Sequence, residues 1–427
     1  MNDVFADVMA DLEHGGAPGV VVDSPPGAGK STLVVRAARL LAEAGEPLAI
    51  VAQTNEQVDD LAASLATAAP TVPIGRLSRQ GYVPTARIAG HGNVAVDADV
   101  TGLAGCRIFI GTAAKWSMLT SGSWPWAIVD EAYQMRSDAL LCIAGRFDRT
   151  LFVGDPGQLD PFSTVETERW AGLSWDPQLS AVAVLLRHNE HVPVHRLPVS
   201  WRLPATAAPV VSEAFYPFTG FTSGTGPGER ALTFDTHALR PTPIDATLAT
   251  AATDGWALHR LPARHTMRTD SEVASACAAI ALRLLERGAV AVSEKAPGGA
   301  RVTPERIAIG TAHRDQAAAV RRYLPEGCGI TVDTANRLQG REYDVTVVWH
   351  PLSGRRDASA FHLEAGRLCV LTSRHRHACV VVARAGISQL LDAHPSTGRM
   401  YLNEVVKFPD GWEANQAMMV HLEGLGS

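Results

Sequence analysis

The sequence lacks an apolar run long enough to cross a membrane. A membrane-spanning helix needs about 20 consecutive apolar residues, and no stretch of the 427 residues approaches that length. The first residues, MNDVFADVMADLEHGG, are acidic and have no apolar segment of the secretory type. We therefore expect a cytoplasmic protein without a membrane partner.

Cysteine is scarce, and its spacing is uninformative for metal binding. The six cysteines form no CxxC pair, so a zinc site or a disulfide framework is not indicated. We expect reduced core cysteines, as in a cytosolic protein.

Lysine is rare among the basic residues. The chain has 38 basic residues, of which only four are lysines: Lys30, Lys115, Lys295 and Lys407. A lysine inside a recognisable motif is therefore unlikely to be there by background frequency.

An excess of positive charge is also missing. The net charge of −6 argues against a protein that binds nucleic acid over its whole surface. The charge is uneven, however, with −9 in residues 1–195 and +3 in residues 196–427. With 46% hydrophobic and 19% charged residues, the composition is that of a globular chain of two or three domains.

Short apolar segments alternate with helical patterns along the chain. In the first half, strands are predicted over residues 19–23, 48–52, 107–111, 126–130 and 150–154. In the second half they are predicted over residues 306–310, 329–333, 345–349 and 379–383. This alternation favours an α/β fold with mainly parallel sheets and helices on both faces.

The predicted domains are residues 1–195 and 196–390. Three prolines break the pattern near residues 190–205, and a Gly- and Pro-rich segment suggests a variable loop or insertion within residues 217–300. Residues 391–427 are expected to form a C-terminal tail of unknown role.

A Gly-rich segment follows the first strand. Residues 24–32 read SPPGAGKST and precede a helical pattern, which is the context of a phosphate-binding P-loop. Lys30 is expected on the β- and γ-phosphates, and Ser31 on Mg²⁺. The expected nucleotide-binding residues are Pro26, Gly27, Ala28, Gly29, Lys30, Ser31 and Thr32. Ser24 stands where the motif has its first glycine, and a glycine turn that caps an ordinary helix stays the alternative.

Two acidic residues end the strand at residues 126–130. A P-loop enzyme needs a carboxylate that holds Mg²⁺ and a base that orients the attacking water. Asp130 fits the first role and Glu131 the second. A solvated acidic turn at a strand end is the alternative interpretation.

Further motifs follow in a fixed order. DEAYQ at 130–134 and VGDPGQLDP at 153–161 resemble motifs II and III of superfamily-one helicases. The remaining matches lie at 52–61 (motif Ia), 110–116 (motif Ic), 199–204, 309–316 (motif IV), 334–344 (motif V) and 370–376 (motif VI). The resemblance spans about residues 15–385 and is closest to the branch that contains the nonsense-mediated-decay helicase.

The resemblance implies two tandem RecA-like P-loop domains with ATP in the cleft between them. Gln158 would sense the γ-phosphate, and Arg202 and Arg374 would act as arginine fingers, a role worth about 10³–10⁵ in rate. Arg376 is close in sequence, but alignment to the family pattern selects Arg374. Trp201 would stack on the adenine, and Glu342 would bind the ribose or couple the sites.

The resemblance also suggests contacts to nucleic-acid phosphates and sugars. The candidates are Thr54, Asn55, Thr112, His313, Arg314 and Thr334. Each of these residues could equally be a helix cap or a turn residue.

The leading hypothesis is an ATP-dependent helicase or translocase that moves on single-stranded DNA or RNA. DNA is favoured over RNA and 5′ to 3′ movement over the reverse, with ATP and Mg²⁺ as cofactors. Because no Gln precedes the P-loop, selectivity for ATP over other nucleotides is open. An ATP-gated nucleic-acid-binding or remodelling module of a larger complex, without processive unwinding, is the alternative. Protein partners are expected to bind through the C-terminal tail. A small-metabolite kinase is disfavoured, because it has no use for GDPGQL or for two arginines in a second domain.

Overall fold

The structure, a computed structural model, describes residues 2–159, 161, 170, 176–177, 179–236, 239–395 and 410–425. The chain divides into two compact units. Unit 1 contains most residues up to Leu197, and unit 2 contains those from Pro198 onward together with Pro26–Ala28 and Gly157–Leu159. We propose that the two units correspond to the two domains expected from the sequence.

Unit 1 is built on one parallel sheet in the order β4-β3-β5-β2-β6-β7-β1-β8. Its strands are β1 Gly19–Asp23, β2 Leu48–Ala52, β3 Ile74–Leu77, β4 Val94–Asp97, β5 Ile108–Thr112, β6 Trp124–Asp130, β7 Phe147–Gly154 and β8 Val194–Arg196. Its helices are α1 Asn2–His14, α2 Lys30–Glu43, α3 Asn55–Ala68, α4 Ala86–Ala89, α5 Ala113–Ser117, α6 Ser137–Ile143 and α7 Ala181–His188.

The central strands of unit 1 form where the sequence is continuously apolar. All five residues of β1 and all five of β2 are buried, as expected for parallel strands covered on both faces. Helix α1 was not predicted, although its buried Phe5, Val8 and Leu12 follow a helical spacing.

Strand β3 was missed because a charge interrupts it. Its sequence is IGRL, and Arg76 inside it is buried. Arg76 Nε donates a hydrogen bond to Asp59 Oδ1 (3.0 Å) on α3. A buried arginine is tolerated there because a buried carboxylate compensates its charge.

Unit 2 contains a five-stranded parallel sheet in the order β12-β18-β17-β15-β16 and a three-stranded antiparallel sheet β11-β13-β14. Its strands are β9 Val199–Ser200, β10 Thr222–Ser223, β11 Ala231–Phe234, β12 Trp256–Leu261, β13 Ala289–Ser293, β14 Ala296–Arg301, β15 Ile307–Thr311, β16 Thr331–Thr334, β17 Tyr343–Trp349 and β18 His375–Arg384. Its helices are α8 Ala208–Phe215, α9 Pro243–Asp254, α10 Ser271–Glu286, α11 Arg314–Arg321, α12 Ala335–Leu338, α13 Ala360–Leu363, α14 Ala365–Thr372, α15 Ile387–Ala393 and α16 Gly411–Gly424.

The parallel sheet of unit 2 is covered on both faces. Along β17, Val347 and Trp349 pack with α9, α10 and α11, whereas Val348 packs with α8, α14 and α16. Successive strand residues point to opposite faces, so helices lie on each side. The predicted α/β class, with two tandem mainly parallel sheets and helices on both faces, is confirmed.

The segment 217–300 is more regular than the predicted loop or insertion. It contains β11, α9, β12, α10 and the hairpin of β13 and β14. Strand β12 pairs in parallel with β18, from Trp256↔Cys379 to Leu261↔Arg384. The glycines and prolines near residue 220 therefore mark a short connection, and the region after it belongs to the core of unit 2.

The C-terminal helix is not a separate tail. Helix α16 buries Ala414, Met418, Met419 and Leu422 in the core that α8 and α14 also line. Asp410 caps its N-terminus by accepting a hydrogen bond from the Glu413 N–H (2.8 Å). Residues 396–409 of the predicted tail lie outside the described residues, and protein partners bound through the tail stay a prediction.

Among the described residues, the structure has no helix with the length and apolar character that a membrane crossing requires.

Candidate functional site

Three motifs meet at one edge of the unit 1 sheet. Strands β1, β7 and β6 are neighbours, with Asp23 paired to Gly154 and Asp130 paired to Val153 at their carboxyl ends. The P-loop follows β1, GDPGQ follows β7, and Glu131 follows β6. The carboxyl edge of a parallel sheet is where α/β proteins bind ligands.

The P-loop has the local conformation that its glycines permit. Gly27 and Gly29 both have positive φ, 74° and 91°, and α2 begins directly afterwards at Lys30. A Cβ at residue 27 would lie 2.2 Å from Arg202 Cβ, so only glycine fits there. Ser31 and Thr32 lie in the first turn of α2 and are exposed, and this helix N-terminus favours bound anions.

Lys30 and Glu131 are in direct contact. Lys30 Nζ donates a hydrogen bond to Glu131 Oε1, and both side chains are largely buried. Burial lowers the pKa of Lys30, but the carboxylates of Glu131 and Asp130 outweigh it and raise the pKa above its ordinary value. Lys30 is therefore a buried cation that is bonded to Glu131 and stabilised by the charge of Asp130. An anionic ligand could replace these two acids as its partner.

Asp130 is the acid whose bonding is incomplete. It is 5% exposed, and its Oδ1 is buried without a hydrogen-bond partner among the described residues. Burial raises the pKa of Asp130 to about 6, against the opposing effect of Lys30. A buried carboxylate oxygen without a partner suits Mg²⁺, which prefers oxygen ligands and usually takes one or two carboxylates.

Glu131 has an unusual backbone. Its φ of 52° and ψ of 44° lie in the left-handed region, and it is the one non-glycine residue with positive φ among the described residues. A non-glycine residue there carries strain of the order of 1 kcal/mol. Such strain concentrates at functional sites, and here it brings Glu131 to Lys30.

Two residues near Glu131 were not singled out from the sequence. Tyr133 Oη donates a hydrogen bond to Asp23 Oδ1 (2.5 Å), and Gln53 Nε2 lies 3.5 Å from the Asp130 carbonyl oxygen. Tyr133 belongs to the DEAYQ segment, but its partner lies 110 positions away. Only the sheet order brings the two side chains together.

Trp201 and Arg202 lie next to Pro26 and Gly27, the P-loop residues that belong to unit 2. Within this unit, Ser200 Oγ donates to the Pro26 carbonyl (2.6 Å), and the Trp201 N–H donates to the Gly27 carbonyl (2.9 Å). The Trp201 side chain is 50% exposed, which leaves its ring available for stacking.

An alternating chain of charges surrounds Arg202. Arg202 Nε donates to Glu342 Oε2 (3.4 Å), and Arg376 donates to Glu342 Oε1 (2.9 Å) and to Glu294 Oε1 (3.3 Å). Arg230 also donates to Glu294 (2.7 Å). Burial acts against the charged form of Glu342, yet Arg202 and Arg376 lower its pKa. Glu294, in the turn of the β13–β14 hairpin, was missed because no local pattern marks it.

Arg374 and Arg376 have different surroundings. Arg376 faces two carboxylates, whereas Arg374 is 1% exposed and donates to the Val370 carbonyl (3.1 Å) and Ser373 Oγ (2.8 Å). Among the described residues no carboxylate pairs with Arg374. A buried guanidinium without a counter-ion is costly, so Arg374 is the arginine that lacks an anion.

Gln158 has a partner that the sequence did not indicate. Gln339 Nε2 donates a hydrogen bond to Gln158 Oε1 (3.0 Å). Gln339 lies inside the motif at 334–344 but was not singled out as a candidate. This bond joins motif III to motif V within unit 2.

Most candidate nucleic-acid contacts are helix caps. Thr54 and Thr112 cap α3 and α5, and they lie near each other because β2 pairs with β5 up to Ala52↔Thr112. In unit 2, Thr334 and His313 precede α12 and α11 at the ends of β16 and β15. The hydroxyl oxygens of Thr54 and Thr112 accept cap hydrogen bonds from Gln57 and Lys115, whereas the Thr334 side chain makes no cap bond.

Asn55 and Arg314 differ from these caps. Asn55 Oδ1 accepts a hydrogen bond from Arg76 (2.9 Å), so its amide oxygen is already used. Arg314 is exposed at the first position of α11.

Comparison with protein families finds an AAA domain in each half of the chain. One family model described as an AAA domain matches residues 5–170, and a second, also described as an AAA domain, matches residues 184–386. No curated protein matches the chain in sequence.

Several solved structures resemble the chain distantly. They include the PRRSV helicase, with 12% identity over 92% of this chain and 58% of that chain (TM-score 0.46). The arterivirus nonstructural protein 10 helicase in complex with DNA has 15% identity over 91% and 65% of the two chains, and the same helicase in a separate crystal structure has 13% over 92% and 64%, both with TM-scores of 0.46. The chain thus spans 58% to 65% of the length of these structures, and a likeness at this level assigns neither activity nor substrate.

The two AAA domain matches cover the same stretch of chain as the ordered motifs. The branch that contains the nonsense-mediated-decay helicase stays a prediction. The chain thus carries one AAA domain in each half, and the ordered motifs within them resemble those of superfamily-one helicases.

Proposed function

We propose that this protein hydrolyses ATP to move along single-stranded nucleic acid, as a helicase or translocase. The observation that carries the proposal is the contact between Lys30 and Glu131 beside the buried carboxylate of Asp130. The P-loop lysine, a candidate base and a candidate metal ligand are thus adjacent within unit 1. The 5′ to 3′ direction is taken from the family resemblance, and DNA is favoured over RNA as the strand.

Lys30 is proposed to exchange partners when the nucleotide binds. In the structure its ammonium group is bonded to Glu131. The β- and γ-phosphates of ATP would take over this cation, since a phosphate offers more negative charge than one carboxylate. Glu131 would then be released to accept a proton from the water that attacks the γ-phosphorus.

Asp130 and Ser31 are proposed to hold Mg²⁺. The partnerless Oδ1 of Asp130 and the exposed hydroxyl of Ser31, at the start of α2, provide oxygen donors of the right kind. A bound Mg²⁺ ion would neutralise negative charge on the phosphates during phosphoryl transfer.

Arg374 and Arg202 are proposed to stabilise the charge on the transferred phosphoryl group. The absence of a counter-ion at Arg374 supports its role, because γ-phosphate oxygens would supply the missing anion. Trp201, with half of its surface exposed, is proposed to stack on the base. Such stacking is tolerant of base identity, so we expect weak selectivity between nucleoside triphosphates.

Glu342 and Gln158 are proposed to link the nucleotide to the strand. Glu342 bonds to Arg202 on one side and Arg376 on the other. Gln158 bonds to Gln339 of motif V. A change at the γ-phosphate would therefore be passed to segments that also contain the candidate strand contacts.

The experiment is displacement of streptavidin from oligonucleotides that are biotinylated at either the 5′ or the 3′ end. A translocase displaces streptavidin from one end in an ATP-dependent manner, and 5′ to 3′ movement displaces it from the 3′ end. The Lys30→Ala variant is the matched control and should show no displacement. ATP hydrolysis without displacement from either end would reject movement and favour the remodelling module.

A further inference from the structure

A cluster of basic and aromatic side chains lies in unit 2 outside the nucleotide motifs. It consists of Arg355, His313, Phe361, His362 and Arg367 and is called the Arg355 cluster below. Arg355 lies in the connection between β17 and α13, and His313 directly precedes α11. Of these five residues, the family motifs suggest a role only for His313.

Arg355 is held in one orientation. Its Nη2 donates a hydrogen bond to His313 Nε2 (3.0 Å), and its Nη1 is 3.4 Å from the Met267 carbonyl oxygen. The preceding Gly354 has φ 71°, and a Cβ there would lie 2.4 Å from Thr266 Oγ1. The Thr266 N–H donates to the Gly354 carbonyl (2.8 Å), so this connection is pinned on both sides.

Arg355 forms no direct ion pair with a described residue. Its two cationic neighbours have carboxylate partners, Asp315 for Arg268 (3.3 Å) and Glu364 for Arg367. Among the described residues, no carboxylate lies within ion-pairing distance of Arg355. Burial lowers the pKa of Arg355, the exposed Asp357 acts in the other direction, and the nearby Arg268 lowers the pKa further. Arg355 is thus a half-buried cation that an anion would stabilise.

The two histidines of the cluster are neutral. An arginine only donates hydrogen bonds, so His313 Nε2 must accept from Arg355. Burial first, and then Arg355, lower the pKa of His313 to about 4. His362 Nε2 lies 3.0 Å from His313 Nε2, and His362 Nδ1 is 2.7 Å from Ser359 Oγ. The imidazoles therefore orient Arg355 without supplying a competing negative charge.

An aromatic stack fixes the His313 ring. The rings of His313 and Phe361 are stacked with centroids 4.8 Å apart and an interplanar angle of 19°. The Arg367 guanidinium lies 3.8 Å from the centre of the Phe361 ring. Arg367 also reaches Asn336 Oδ1 (3.4 Å) in α12, which ties the cluster to motif V.

We propose that Arg355 binds a phosphodiester group of the single strand, with His313 as the residue that positions it. This deepens, and rests on, the proposed function above. The guanidinium uses two of its five N–H donors inside the protein, and its planar fork suits two oxygens of one phosphate. The cluster adjoins motifs IV and V, so a strand that passes those motifs would meet Arg355. The ligand class is the phosphate backbone common to DNA and RNA.

The test compares the full chain with Arg355→Gln, Arg355→Lys and Arg356→Gln variants. Binding of fluorescent oligo(dT) and oligo(U) of equal length is measured without nucleotide, from about 50 to about 200 mM salt. Arg356 is adjacent and exposed, so its Arg356→Gln variant removes the same charge one position away. Thermal unfolding of each variant accompanies the titrations.

Arg355→Gln should weaken binding of the preferred polymer about tenfold and reduce the salt slope by about one. Arg356→Gln should change affinity less than about threefold, because no built contact is lost. Arg355→Lys should keep the salt slope and lose part of the affinity, since the charge stays but the fork is lost. This lysine variant keeps the test valid if the glutamine variant unfolds.

Equal effects of Arg355→Gln and Arg356→Gln would overturn the inference, because the surface would then be a diffuse basic patch. Wild-type affinity and slope in Arg355→Gln would also overturn it while leaving the proposed function intact. Failure of the wild-type protein to bind either polymer would instead contradict the proposed function itself. Which polymer shows the Arg355 effect identifies the source of the phosphate.

Discussion

Lys30 and Glu131 are bonded to each other within unit 1, with the ammonium group donating to the carboxylate. The two residues are 101 positions apart in sequence. The contact depends on Glu131 adopting a left-handed backbone conformation at the end of β6. It places the proposed base in contact with the lysine that is proposed to bind phosphate.

Changing Glu131 to Gln should stop hydrolysis and preserve ATP binding. Glutamine keeps the shape of the side chain but cannot accept the proton from the attacking water. We expect single-turnover hydrolysis to fall by about 10²–10⁴-fold, with ATP retained on the protein in a filter-binding assay. Hydrolysis at the wild-type rate would remove Glu131 from the role of base.

Arg374 and Arg376 should respond differently to substitution by alanine. Loss of Arg376 leaves Glu342 bonded to Arg202 and Glu294 bonded to Arg230, so each carboxylate keeps a cation. Loss of Arg374 removes the buried cation that has no carboxylate partner.

Arg374→Ala should therefore lower kcat by about 10³-fold, as expected for an arginine finger, while ATP binding persists. Arg376→Ala, its matched control two positions away, should lower kcat by less than about tenfold. Steady-state hydrolysis together with nucleotide titration measures both quantities. The reverse order of effects would assign the finger to Arg376.

Asp59 should be far more important for stability than its neighbour Asp60. The Asp59 and Arg76 side chains are 5% and 1% exposed, whereas Asp60 and its partner Arg87 are largely exposed. Asp59→Asn leaves a buried guanidinium without a counter-ion and should cost about 3–5 kcal/mol. Asp60→Asn should cost less than about 1 kcal/mol.

Urea unfolding of the two asparagine variants measures this difference. Asn55 and Tyr82 also contact Arg76. Similar unfolding free energies would mean that these contacts stabilise the buried guanidinium without Asp59.

Unit 2 should lose stability as the pH falls below about 6.5. Burial lowers the pKa of His350 to about 3, and burial together with the nearby His377 lowers the pKa of His375 to about 3. Both histidines are thus neutral when folded, whereas the unfolded chain binds protons below the ordinary value of 6.5. The contribution of the two neutral histidines to the unfolding free energy is fully present above that pH. It is lost progressively toward pH 3, by up to about 1.4 kcal/mol per pH unit for each histidine.

Urea unfolding between pH 7.5 and pH 5 isolates this effect from most carboxyl titrations. His350→Asn removes one titrating group and should make the dependence on pH shallower by about one proton. An unchanged slope in this variant would show that His350 is protonated in the folded protein.

The sequence predicted the elements that are locally encoded. Strands β1 and β2 were predicted with their observed limits, because each is a continuous apolar run between polar turns. Strand β12, WALHRL, was missed, since His259 and Arg260 interrupt its apolar pattern and its pairing partner β18 lies more than 100 residues later. Helix α16 was not recognised as part of the core because its partners, α8 and α14, are distant in sequence.

The candidate site divides in the same way. The P-loop and the acids after β6 could be identified because their chemistry lies in contiguous residues. Gln339, Glu294 and Arg355 could not, because each acquires a possible role only through a partner elsewhere in the chain. The sequence could not distinguish the surroundings of Arg374 and Arg376, because both residues lie in one short motif. They differ in their partners in the folded chain, a carbonyl oxygen for Arg374 and a carboxylate for Arg376.

The most direct test of the proposed motor activity is ATP hydrolysis measured with and without single-stranded DNA and RNA, at two salt concentrations. A motor that moves on single strands should hydrolyse ATP with strong stimulation by one polymer, and salt should weaken this stimulation. Hydrolysis should be absent in Lys30→Ala. Hydrolysis that neither polymer stimulates at either salt concentration would contradict a motor that moves on single strands.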